Sequence, residues 1–174
     1  MTSLTSFILF SMAIPLAAWI FMVWRGFTQN WLPDELKAGK IVLVEKNLLA
    51  NYPCTGDSLV GRPDQVCRLP SGLHVPLENK NRDDHRVFDT DIAQLSLQGW
   101  LLRRNGMHTA PFGYVAINNR KTGKRHAIRV DLRDDAYCEG LMGRYLDLIE
   151  LRTMPRKSRG RKCNTCGHRA ACHV

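Results

Sequence analysis

Residues 4–24 form a predominantly apolar run, and residues 1–24, MTSLTSFILFSMAIPLAAWIFMVW, carry no charged side chain. As a helix, Leu4 to Trp24 spans about 30 Å, the thickness of bilayer hydrocarbon. Pro15 would kink such a helix without excluding it. Trp19, Trp24 and Trp31 suit interfacial positions. This run is expected to be one N-terminal transmembrane helix. A cleaved signal peptide fits less well, because no basic segment precedes the run and no small-residue cleavage site follows it. Residues 25–40, with Pro33 and Gly39, read as a juxtamembrane linker. Beyond it the pattern shortens. "KIVLVEKNLL" from Lys40 suits a strand or a short helix. Residues 58–69 and 73–80 alternate as two strands around the turn "PSG". Residues 91–104 suit a helix, 112–119 and 126–132 a hairpin around "RKTGKR", and 134–152 an amphipathic helix. In that last helix Asp134 and Asp135 occupy the first turn, and Tyr137, Tyr145 and Leu148 read as core positions. The predicted fold class is α/β, a mixed sheet flanked by helices. It occupies residues 41–152 and is followed by a basic, cysteine-rich tail over 153–174.

Charge adds a partner class. The formal net charge is +9, which favours an anionic partner, either nucleic acid or the negative face of a membrane. The first basic residue after the apolar run is Arg25, so the positive-inside rule places the basic domain on the cytoplasmic side. Arg120, Lys121, Lys124, Arg125 and Arg129 cluster on the second hairpin, and residues 152–162 hold six further Lys and Arg. Such groups suit sequence-indifferent phosphate contacts; a solubilising or lipid-attracted surface is the plainer reading of any one of them. His85, His108 and His126 have no metal-ligand spacing and read as surface or turn positions. Trp100 reads as packing for its helix.

The first hairpin holds the candidate chemistry. If Pro70, Ser71 and Gly72 form its loop, Leu69 lies opposite Leu73, Asp64 opposite Glu78 and Arg62 opposite Lys80. Alternation then sends Leu69, Leu73, Val75 and Leu77 to one face, and Asp64, Glu78 and Lys80 to the other. Like charges directly opposed in a sheet repel. A divalent cation between the carboxylates would remove that repulsion, and oxygen ligands of this kind suit magnesium or manganese. Lys80 could then orient an attacking water or steady charge on a phosphoryl oxygen. A surface ion-pair patch with Arg62 and Lys80 relieves the same repulsion without chemistry. At the C-terminus Cys163, Cys166 and Cys172 have the spacing C-x2-C-x5-C, which brings two thiolates within reach of one metal centre. An iron–sulfur cluster, a zinc ion completed by His168 or His173, and unliganded thiols all remain open.

The segment "GRPD", thirteen residues, then "ENK" resembles the PD-(D/E)xK nuclease motif in its RecB-like form. With Gln94 on the following helix, the strand "FGYVAINN" and "CNTCGHRAAC", the chain from about residue 40 resembles the CRISPR-associated RecB-like exonucleases, the Cas-four family, and their phage and plasmid relatives. The resemblance implies a restriction-endonuclease-like core and a metal-dependent DNA nuclease, an exonuclease sooner than an endonuclease, acting on single-stranded DNA or DNA with free ends. It implies Asp64 and Glu78 as metal ligands, Lys80 as the catalytic lysine, and Gln94 beside them. Glu45 would fill an upstream acidic role. It also implies a 4Fe-4S cluster held by Cys163, Cys166, Cys172 and a fourth cysteine N-terminal to the nuclease motifs, for which Cys54 stands. Four features depart from the family pattern: Gln98 stands where a tyrosine is usual, the first histidine is His74 and so none lies upstream of Asp64, only nine residues separate Cys54 from Asp64, and a membrane anchor is not a family feature. A membrane-tethered, non-catalytic DNA-binding module with a structural zinc or iron–sulfur site is the alternative reading.

Overall fold

The computed structural model describes residues 15–22, 30–53, 55–156 and 160–172. Residues 15–22 are helical (α1), with Leu16, Trp19, Ile20 and Phe21 exposed. Among the described residues no helix is long and apolar enough to cross a membrane. The expected transmembrane helix is therefore not among the described elements, and the rest of the 4–24 span lies outside the described residues. The chain divides into two compact units, Met1–Cys138 and Glu139–Val174.

In the first unit, part of the stretch read as a linker belongs to the fold. Asp34–Lys37 is a short helix (α2), and Leu36 is buried in the core. The ambiguous segment after it is two strands, β1 (Lys40–Val44) and β2 (Leu48–Asn51), separated by Glu45 in the left-handed region at φ 45°. The predicted strand over 58–69 is also two strands, β3 (Ser58–Gly61) and β4 (Gln65–Arg68), in different sheets. Pro63 interrupts it, because a buried proline has no N–H for a ladder. The remaining elements are β5 (His74–Arg82), α3 (Asp89–Arg104), β6 (Phe112–Asn119), β7 (Arg125–Asp131) and α4 (Asp135–Ile149).

The main sheet is mixed, in the order β1-β4-β5-β6-β7, while β2 and β3 form a separate pair. β4 pairs antiparallel with β5 from Gln65↔Leu77 to Arg68↔His74, the register dictated by the three-residue loop. β5 pairs parallel with β6 through the crossover helix α3, and β6 returns antiparallel to β7. Pro76 is tolerated inside β5 because β5–β6 pairing begins one residue later, at Leu77↔Tyr114. A Cβ on the neighbouring Gly113 would lie 3.0 Å from the Pro76 carbonyl oxygen.

Period-two alternation divides the core. One sheet face packs Cys67, Val75, Leu77, Phe112, Tyr114 and Ala116 with Leu36 of α2. The other packs Val115 and Ile117 with Leu95 of α3, bordered by Ile128 and Val130. Gly39 sets how closely α2 approaches the first face, since a Cβ there would meet Cys67 Sγ at 2.4 Å and the Arg68 carbonyl at 3.0 Å. Gly39→Ala is therefore expected to lower stability by about 1–3 kcal/mol, the usual cost of overpacking, as read by urea denaturation.

Asp134 caps α4, its Oδ1 accepting the Tyr137 N–H at 2.8 Å. The buried positions of this helix are Cys138 and Met142. Tyr137, Tyr145 and Leu148, expected in the core, are exposed, Tyr145 at 64%. The buried stripe is offset one position from the predicted one, a rotation of about 100° around the helix. In the second unit a 3-10 turn, Arg161–Thr165, precedes α5 (Arg169–Cys172).

Candidate active site

β5 brings the site together. Glu78 and Lys80 share the α3-facing side of this strand, next to Val115 and Ile117 of β6. Glu78 is 4% exposed, an uncommon place for a carboxylate, and every close partner it has is a donor. Lys80 Nζ donates to Glu78 Oε1 at 2.8 Å. Gln94 Nε2 donates to the same oxygen at 2.7 Å, and Gln98 Nε2 donates to Oε2 at 2.7 Å. Lys80 also donates to Gln94 Oε1 at 2.8 Å, closing a ring of three side chains. The two glutamines stand four apart on α3, so one helical face meets the carboxylate. Gln98 is the residue that pattern reasoning left without a role. Its spacing from Gln94 was the available signal.

Asp64 joins from the end of β4. Its Oδ2 accepts the backbone N–H of Asn79 at 2.8 Å, the amide directly after Glu78. The two carboxylates thus flank one peptide group, as the hairpin register requires. Glu45 is placed differently. Its backbone N–H donates to the Asp64 carbonyl at 3.1 Å, but its carboxylate lies 3.8 Å from Arg62. The β4–β5 ladder ends at Gln65↔Leu77, so the expected pairing of Arg62 with Lys80 is not part of it, and the Arg62 guanidinium lies by Glu45 instead.

A second, buried ion pair fixes the helix that supplies the glutamines. At the end of β5, Arg82 donates from Nη1 and Nη2 to Asp91 Oδ2 and Oδ1 at 2.7 and 2.5 Å. Asp91 Oδ2 also accepts the Phe88 N–H at 2.8 Å, satisfying an open donor of the first turn of α3. The Arg82 guanidinium lies 4.7 Å from the Phe88 ring centroid. Burial pushes the Asp91 carboxyl up. The Arg82 and Phe88 hydrogen bonds, with the positive charges of Arg82 and Lys80, outweigh burial and hold it below its ordinary value.

Gln98 Oε1 is buried and has no hydrogen-bond partner. The amide cannot simply be turned over, because a carboxylate only accepts and Nε2 must face Glu78. An orphaned amide oxygen on the side chain that holds Glu78, with the Asp64 carboxylate across one peptide group, gives oxygen donors of the kind that hard divalent cations take, with waters completing the shell. Asp64, Glu78 and Gln98 therefore fit magnesium or manganese by donor chemistry. Among the described residues no group of three or more His, Cys, Asp or Glu side chains is close enough to hold one metal ion. Cys163, Cys166 and Cys172 are free thiols, none of them in a disulfide. Cys54 lies outside the described residues.

The basic residues of the second hairpin mostly have internal partners. Arg120 pairs with Asp83 at 2.9 Å and Lys121 with the same carboxylate at 3.8 Å, and Arg129 lies 3.7 Å from Glu35. His85 and His126 meet edge to face at 4.6 Å, a contact their sequence separation hid.

No known family and no curated protein matches the chain. A solved structure, "Crystal structure of SSO0001", is similar over 74% of this chain and 58% of that one, with a TM-score of 0.51 and 18% identity. The chain spans less than two thirds of that structure's length, and at such identity the likeness shows the fold alone: an α/β arrangement with a mixed sheet flanked by helices.

Proposed function

We propose that this chain is a membrane-anchored, divalent-metal-dependent deoxyribonuclease of the PD-(D/E)xK type, with its basic domain on the cytoplasmic side. The observation that carries the reading is the buried Glu78 held by Lys80, Gln94 and Gln98, with Asp64 one peptide away. The order of the sheet supports it too, because a restriction-endonuclease-like core has antiparallel strands feeding a parallel crossover of this kind. The exposed apolar side chains of α1 support the membrane assignment.

In this reading Asp64, Glu78 and the Gln98 amide oxygen hold magnesium or manganese. The ion, when bound, would lower the pKa of a coordinated water and polarise the phosphodiester. The protein groups do the positioning. Lys80 has three N–H donors and spends two, on Glu78 and Gln94. Its third remains for a nonbridging phosphate oxygen or an attacking water. Gln94 accepts from Lys80 and donates to Glu78, which fixes the lysine's direction without weakening the carboxylate. Gln98 Oε1 supplies an acceptor where the family pattern has tyrosine. The resemblance assigns the C-terminal cysteines, with Cys54, to an iron–sulfur cluster, with zinc as the alternative.

The test is cleavage of end-labelled single- and double-stranded DNA by the full chain with manganese, with magnesium, and with EDTA. Metal-dependent cleavage that EDTA abolishes is the expected result. DNA binding by folded protein without cleavage overturns the nuclease reading in favour of a non-catalytic binding module. Protein purified without oxygen would show visible absorption if it holds iron–sulfur and none if it holds zinc, a d¹⁰ ion.

A further inference from the structure

The face of the sheet opposite Glu78 holds a cavity of about 650 Å³, roofed by α2. Its walls include Trp31, Lys37, Lys40, Cys67, Leu77 and Arg125. A volume of this order falls within the roughly 300–1,000 Å³ of small-molecule sites. Alternation along β5 separates it from the candidate active site: Leu77 and Asn79 face the cavity side, while Glu78 and Lys80 face α3.

The cations of this cavity are short of counter-charge. Lys37 is paired with Asp34 at 2.9 Å. Among the described residues Lys40 and Arg125 make no ion pair. The Arg125 guanidinium sits 3.6 Å from the Trp31 ring centroid and donates to Asn79 Oδ1, both uncharged partners. Burial alone pushes its pKa down from its ordinary value. A partly desolvated guanidinium with no carboxylate is costly unless something anionic completes it. Arginine's planar fork suits phosphate oxygens, and a mixed wall of aromatic and aliphatic side chains suits the organic part of a phosphate ester.

The geometry points to a second ligand site, a pocket between α2 and the sheet in which Arg125 and Lys40 bind the phosphate group of a phosphate ester beside Trp31. It is independent of the nuclease reading, since no residue of the Glu78 network lines it. The phosphate can come from a soluble nucleotide-type ester or from an anionic lipid headgroup, and the experiment separates the two.

Full-length protein in neutral detergent is titrated with inorganic pyrophosphate at constant ionic strength, following the emission that Trp31→Phe removes. A saturable change is expected. Arg125→Gln is expected to raise the midpoint at least about tenfold, the scale of one lost charge-assisted contact, and Lys40→Gln, at an exposed position, to raise it less. Lys80→Gln is expected to leave it unchanged. The titration is repeated with dAMP and with mixed micelles containing short-chain phosphatidic acid. A response to dAMP alone assigns a soluble ester, and a response to phosphatidic acid alone assigns a headgroup. No saturable response to any of the three, folded Arg125→Gln binding like the parent, or loss of the response in Lys80→Gln overturns the site.

Discussion

Lys80→Ala is expected to abolish divalent-dependent DNA cleavage, a loss of at least about 10²-fold, while the protein stays folded. The magnitude is that of removing one preorganised donor from a charge-developing site. The fold is expected to survive because Glu78 keeps two donors, Gln94 on Oε1 and Gln98 on Oε2, after the ammonium is gone. The stability cost is put at about 1–3 kcal/mol, below that of a buried charge left with no partner. Asp64→Asn is the companion variant. Its side-chain oxygen can still accept the Asn79 N–H, so the junction between β4 and β5 is kept while a negative charge is removed. Cleavage rates of the two variants, with circular dichroism as the control for folding, check the assignment. If both cut as fast as the parent, the chemistry does not lie here.

The largest stability effect is expected at the other end of β5. Asp91→Ala should cost about 3–5 kcal/mol in urea denaturation, because it strands Arg82, whose side chain is only 18% exposed, without its carboxylate. It also removes the acceptor for the Phe88 N–H at the start of α3. The same pair sets part of the acid response. The carboxyl of Asp91 is held below its ordinary value, so its contribution is fully present above the unfolded value of about 3.9. It is lost as pH falls from there through the lower folded value. Asp91→Asn is therefore expected to flatten the fall in stability below about pH 4. Arg82 is pushed up, with the Asp91 hydrogen bond as the main cause, and stays charged throughout. An Asp91→Asn variant as acid-sensitive as the parent would show that other carboxylates govern that limb.

Much of this arrangement was legible where local rules act alone. The loop Pro70–Ser71–Gly72 fixed the β4–β5 register, and with it the closeness of Asp64 and Glu78. Strand β6 coincides with the stretch 112–119 picked out by its apolar run. What pattern missed depended on breaks and on distant packing. Pro63 divides a run that alternates well as one strand, and only the separate pairing of β2 with β3 shows where its first half goes. α2 is four residues long, too short for a periodicity signal, yet Leu36 is buried and Glu35 accepts the Tyr114 hydroxyl. Gln98 stood out in the sequence only as a departure from the family's tyrosine. Its burial follows from Glu78, a carboxylate that needs donors on both oxygens.

The hydrogen bond from Asn79 to Asp64 gives spectroscopists a built-in gauge. A main-chain amide whose acceptor is a side-chain carboxylate senses the charge on that carboxylate directly. In a ¹⁵N-labelled sample the Asn79 resonance should move as magnesium is titrated in. Metal occupancy could then be followed at one named nucleus, with no DNA in the tube.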